Sequence, residues 1–134
     1  MNNPVVDASA LLAFLRNEPG ASVVAKNMEY GAYISAANWV EVLSKICDLG
    51  VDSPEMVKTL KGQGILGQTL LIAPLIEEDA NIIAQLRPLT KKKGLSLGDQ
   101  ACLALAMRLK TRVITTDNHW RDLDLAEPEI EIVR

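Results

Sequence analysis

Four acids in this chain stand where carboxylates can gather: Asp7, Glu41, Asp99 and Asp117. Asp7 closes the short apolar run Pro4-Val5-Val6-Asp7, and Asp117 follows the β-branched run Arg112 to Thr116. Both fall at the carboxyl ends of predicted strands, where ligands collect in open α/β sheets. Asp99 ends Ser96-Leu97-Gly98-Asp99, which has the spacing of a capping box with aspartate in place of the longer glutamate. Aspartate caps helices and complements their dipole, so each of these three also has a purely structural explanation. Glu41 has a different one, as an exposed helical glutamate four residues before Lys45. Brought together, carboxylates of this kind suit Mg²⁺ or Mn²⁺ better than zinc. One such ion, or a pair, lowers the pKa of water, orients it in line with a phosphodiester and stabilises the departing oxygen. The chain has a single histidine, His119, so a paired-histidine mechanism within one subunit is excluded. His119 itself reads as a solvent-facing residue beside a helix start, with a contact to substrate as the alternative.

The elements that must position these acids follow from pattern. The first strand leads into an apolar helix over Ala10 to Leu15, ended by Pro19-Gly20, and a second helix over Ala21 to Met28. Ala32-Tyr33-Ile34 is a strand ending at Ser35, which caps the next helix. There Trp39, Val42, Leu43 and Ile46 form the apolar stripe, Asn38, Glu41 and Lys45 take the other face, and Gly50 closes the end. Ser53-Pro54 starts a further helix that Gly62 and Gly64 end, and Thr69 to Ile72 is strand-like. A helix runs from Glu78 until Pro88 bends or stops it. After Lys91, Lys92 and Lys93 come the helix Gln100 to Leu109, the strand Arg112 to Thr116, and an alternating edge strand, Ile130 to Val133. Strands separated by helices predict an α/β protein, a three-layer α/β/α sandwich around a parallel sheet of about five strands.

The 134 residues fit one domain spanning 1–134, with no internal repeat or linker. Hydrophobic residues make up 49% and charged residues 23%, which excludes a disordered chain. No apolar run reaches the ~20 residues of a membrane helix, and no basic segment precedes the first apolar run as a secretory signal requires, so the expected location is the cytoplasm. Cys47 and Cys102 have no partner histidines and read as buried free thiols. The net charge of −3 argues against non-specific coating of nucleic acid, but six acids and two bases fall after residue 116, leaving residues 1–116 at 12 − 11 = +1. Lys91, Lys92 and Lys93 either contact phosphates or decorate a helix end. Aromatics total 4%, too few for an extended base-stacking platform. Trp39 belongs to the core, and Trp120 packs beneath the acids or stacks on a base.

Four blocks, in order, carry a family resemblance: Val5-Val6-Asp7-Ala8-Ser9-Ala10-Leu11-Leu12-Ala13; Ser35-Ala36-Ala37-Asn38-Trp39-Val40-Glu41-Val42; Leu95-Ser96-Leu97-Gly98-Asp99-Gln100-Ala101-Cys102-Leu103-Ala104-Leu105-Ala106; and Val113-Ile114-Thr115-Thr116-Asp117-Asn118-His119-Trp120. Over nearly its whole length the chain resembles the PIN-domain ribonucleases, and within them the VapC-type toxins of toxin–antitoxin pairs. The resemblance implies a single PIN domain that cleaves RNA, with Asp7, Glu41, Asp99 and Asp117 as ligands of Mg²⁺ or, in its place, Mn²⁺. It gives Ser9, Asn38 and Thr116 supporting places; for Ser9 a backbone-bonding role at the helix start is an equal alternative. It implies products with a 5′-phosphate and a 3′-hydroxyl, a cognate antitoxin and a homodimer. The alternatives are a housekeeping PIN nuclease without a toxin role and a non-catalytic PIN-like binding module. A phosphatase with an aspartate nucleophile is disfavoured because Ser9 stands where its second acid belongs, and a receiver-type module because Asn2-Asn3 replace its acid pair.

Overall fold

Strands too short to stand alone become stable here by pairing in parallel and burying both faces. The computed structural model describes residues 2–134. Five strands, β1 (Val5–Val6), β2 (Ala32–Ser35), β3 (Leu70–Ala73), β4 (Val113–Thr115) and β5 (Ile130–Ile132), form one sheet in the order β3-β2-β1-β4-β5. Every pairing in it is parallel. Between them run six helices: α1 (Ala8–Leu15), α2 (Ala21–Met28), α3 (Ala36–Asp48), α4 (Ser53–Gly62), α5 (Glu77–Thr90) and α6 (Leu97–Leu109). The expected three-layer α/β/α architecture is the one observed.

Alternation along the strands divides the core in two. Val6, Ile34 and Ile114 face a cluster with Leu11 of α1, Val24 of α2, Val42 and Ile46 of α3 and Leu60 of α4. Val5 and Val113 face the other cluster, with Cys102, Leu103 and Ala106 of α6, Trp120, and Leu86 of α5. Helix α5 is tied to α6 by a near-bidentate ion pair, in which Arg108 Nε and Nη2 donate to the buried Asp79 carboxylate at 2.7 and 3.2 Å. Asp79 also accepts from the Ile76 amide at the start of α5 (3.0 Å), so its buried charge is well supplied with donors.

Several expectations need correction. Helix α5 passes through Pro88 to Thr90. Proline removes only its own amide, and Ala84, whose carbonyl is thereby left over, is solvent-exposed. Helix α4 is capped by Asp52, whose Oδ1 accepts from the Glu55 amide at 3.3 Å, and not by Ser53. Helices α1 and α6 begin earlier than their apolar patterns suggest, because Asp7 and Ser96 cap them directly. Cys102 is buried as expected but Cys47 is exposed. The α3 stripe points Trp39, Val42 and Ile46 inward, and the residue after Ile46 turns about 100° away from it.

Candidate active site

The acids assemble at the carboxyl edge of the sheet, where β1 and β4 release the chain into helices. Asp7 is buried at the end of β1 and caps α1, with Oδ1 accepting from the Ala10 amide at 2.8 Å and from Ser9 Oγ at 2.7 Å. Its Oδ2 accepts from the Thr115 hydroxyl. Register explains this partner: Val6 lies beside Ile114, and the Asp7 amide donates to the Ile114 carbonyl, so the residue opposite Asp7 is Thr115. The two hydroxyls lie 3.1 Å apart. Ser9 Oγ also accepts from the Thr116 amide, and Thr115 Oγ1 from the Asp117 amide (3.1 and 3.0 Å). Ser9 therefore joins Asp7 to the loop carrying Asp117. Thr116, expected as a neighbour of the site, donates its amide to Ser9, and the hydroxyl on Asp7 comes from Thr115.

Glu41 projects from α3 toward α6. Asn38, buried one turn earlier, donates through Nδ2 to Glu41 Oε1 at 2.8 Å and to the Gly98 carbonyl at 3.1 Å. The Glu41 carboxylate lies over the α carbon of Gly98: a Cβ built there would be 1.9 Å from Oε1. Among the described residues Glu41 makes no ion pair with Lys45, so the ordinary helix-surface pairing is not formed. Asp99 is the third residue of α6 and closes the capping box, accepting from the Ser96 amide at 3.0 Å while its own amide donates to Ser96 Oγ at 3.1 Å. Asp117 accepts from the His119 amide at 3.1 Å.

His119 is the residue whose place the sequence did not disclose. Its Nδ1 is 2.7 Å from Asp117 Oδ1 and its Nε2 is 3.2 Å from Asp99 Oδ2, so it spans two acids although it remains partly exposed. Burial alone would lower its pKa, but hydrogen bonds to Asp117 and Asp99 and their charges raise it. For Asp117 burial raises the pKa, and this is outweighed by hydrogen bonds from the His119 ring and amide and by the charges of His119 and Arg134. Trp120 packs beneath, fully buried against Val5 and Cys102, and is therefore no base-stacking surface.

Burial pushes Asp7 up to about 6; its hydrogen bonds from Thr115, Ala10 and Ser9 pull the other way, and the charge of Asp99 adds to the rise. The Cys102 thiol is held well above its usual range, first by burial and then by the charges of Asp7, Asp99 and Glu41. Among the described residues no three His, Cys, Asp or Glu side chains are gathered tightly enough to hold one ion. The donor set nevertheless fits a hard cation. It is all oxygen, Asp7 keeps one carboxylate lone pair after three hydrogen bonds, and the buried Asn38 Oδ1 has no partner. A concavity of about 740 Å³ lies elsewhere, among residues that precede β1 and β4 such as Asn2, Lys110 and Thr111.

The PIN domain family model matches residues 5–125, and the chain belongs to that family, which is one of nucleases that generally use divalent metal. Similar solved structures include a toxin–antitoxin complex from Klebsiella pneumoniae, with a TM-score of 0.71 at 18% identity, covering 96% of this chain and 95% of that one. FitAcB from Neisseria gonorrhoeae matches with a TM-score of 0.69 at 24% identity over 94% of each chain. VapBC2 from Rickettsia felis bound to a DNA fragment from their promoter matches with a TM-score of 0.71 at 12% identity, over 97% of this chain and 98% of that one. No curated protein matches.

Proposed function

We propose that the chain is a divalent-metal-dependent endoribonuclease acting as the VapC-type toxin of a toxin–antitoxin pair. The observation that carries this reading is the gathering of the acids at one edge of the sheet: the Thr115 hydroxyl joins Asp7 to the Asp117 amide, His119 joins Asp117 to Asp99, and Glu41 lies against Gly98 beside Asp99. The coverage of toxin–antitoxin structures along nearly their whole length supports the toxin assignment. Asp7, Glu41, Asp99 and Asp117 would hold Mg²⁺ or Mn²⁺, which when bound neutralises them and activates water against a phosphodiester. Ser9, Thr115 and Asn38 fix the directions of the Asp7 and Glu41 carboxylates, as outer partners of metal ligands do. His119 is placed to hold or release a proton between Asp99 and Asp117. Lys91, Lys92 and Lys93 form an exposed 3₁₀ turn leading into α6, where they meet RNA phosphates.

An antitoxin and a second copy of the chain are the expected protein partners. Leu71 and Ile72 on the open edge strand β3, with Leu75 and Ile76 after it, are exposed apolar residues suited to the homodimer; gel filtration at the monomer mass would contradict that assembly. Among the described residues no helix is long and apolar enough to cross a membrane.

The function is tested on total cellular RNA. The purified chain should cut it at discrete sites with Mg²⁺ or Mn²⁺ and lose the activity in EDTA. Cleavage indifferent to chelation would overturn the metal mechanism. Expression of the chain alone should arrest growth, with relief by the cognate partner; harmless expression of active protein would favour a housekeeping PIN nuclease.

A further inference from the structure

An acidic site that cleaves a polyanion needs a cation at its rim to accept the phosphates its own carboxylates repel. The arginines of this chain are mostly committed elsewhere: Arg16 to Glu18, Arg108 to Asp79, Arg112 to Asn27 and the Asn2 carbonyl, and Arg121 to Asn118. Among the described residues Arg87 of α5 and Arg134 have no such partner, and Arg134 lies beside the strand end that leads to Asp117. Strand β5 pairs in register with β4, Ile132 beside Thr115, and the Val133 amide then donates to the Thr115 carbonyl at 2.8 Å. The chain beyond β5 thus runs along the segment that delivers Thr116 and Asp117.

Its backbone is pinned there. Val133 is buried, and Gly20, in the left-handed region at φ +96°, closes over the same place: a Cβ on Gly20 would come 3.2 Å from Arg134 Cα and 3.3 Å from both the Val133 carbonyl oxygen and Thr116 Cγ2. Above this fixed backbone the Arg134 side chain is exposed, and no hydrogen bond or ion pair ties it to any described residue.

We propose that Arg134 is a substrate-positioning residue, whose guanidinium binds an RNA phosphate at the mouth of the carboxylate site beside Asp117. The inference rests on the ribonuclease reading above. A guanidinium offers five donors in a planar fork that matches two phosphate oxygens, and an arginine with its donors uncommitted can present that fork.

The test compares the full chain with Arg134→Gln and Arg134→Lys. Binding of a fluorescein-labelled single-stranded RNA of mixed sequence is followed by anisotropy across a salt titration in EDTA, and cleavage is followed with Mg²⁺. Arg134→Gln should weaken binding about tenfold at low salt and make the slope of log affinity against log salt shallower by roughly 0.7, the value for one phosphate contact on a single strand. In cleavage KM should rise while kcat changes by less than about twofold, and Arg134→Lys should recover part of the loss. Unchanged affinity and slope in Arg134→Gln, with wild type cleaving normally, would overturn the Arg134 proposal and leave the nuclease standing. Arg134-dependent binding without any cleavage by wild type would overturn the nuclease reading and keep the contact. A wild type that neither binds nor cleaves RNA would overturn both.

Discussion

Asp7→Asn should make the metal-free protein more stable at pH 7 and abolish cleavage. Asp7 is 4% exposed, and its pKa moves from 3.8 to about 6 on folding. Between those values the folded state binds the proton and the unfolded state does not, so stability falls as pH rises through this window and the full cost is present above pH 6. A shift of this size corresponds to about 3 kcal/mol. Asparagine keeps an oxygen for the Ala10 and Ser9 donors and caps a helix as well as aspartate does. The variant should therefore melt roughly 10 °C higher than wild type in EDTA at pH 7, with the difference vanishing near pH 4. It should lose most of the stabilisation that added Mg²⁺ or Mn²⁺ gives the wild type. Melting curves across pH, with EDTA and with metal, check each part. A variant no more stable than wild type at pH 7 would show that Asp7 carries no buried-charge cost, and full cleavage by it would remove Asp7 from the site.

Gly98→Ala should leave the fold intact and reduce cleavage by about 10- to 100-fold, the usual effect of disturbing a partner of a metal-binding group. The new Cβ meets Glu41 Oε1 at 1.9 Å and Cδ at 2.7 Å, with Asn38 Nδ2 at 3.2 Å. The clash is with the end of a flexible side chain, so Glu41 swings away at small cost, and alanine is the better helix former. The melting temperature should stay or rise while activity falls. Glu41→Gln should lower activity by its own route, and the two changes combined should cost little more than the worse of them, because both disable one carboxylate. Normal cleavage by Gly98→Ala would show that the seat of Glu41 on α6 does not matter.

Why Gly98 and Glu41 meet could not be seen in sequence, since 57 positions separate them and their contact depends on how α3 crosses α6. Asp7, Asp99 and Asp117 were legible because each sits at a local signal, a strand end or a capping box, that fixes the backbone regardless of the rest of the fold. The five strands followed from short apolar or β-branched runs, and the parallel sheet from their alternation with helices. Thr115 required one step more. Once Val6 is placed beside Ile114, Thr115 must oppose Asp7, and that register is not written in the local sequence. His119 and Arg134 offered no such handle. One is fixed by a ring reaching two acids from separate elements, the other by the pairing of the last strand, and neither leaves a periodic trace.

The central claim is that these carboxylates direct water onto an RNA phosphodiester with the help of a divalent ion. The end groups of the RNA fragments test it most directly. With Mg²⁺ or Mn²⁺ present, the purified chain should release fragments bearing a 5′-phosphate and a 3′-hydroxyl, because water and not the adjacent 2′-hydroxyl is the nucleophile. Fragments ending in a 2′,3′-cyclic phosphate, formed equally well in EDTA, would contradict the account.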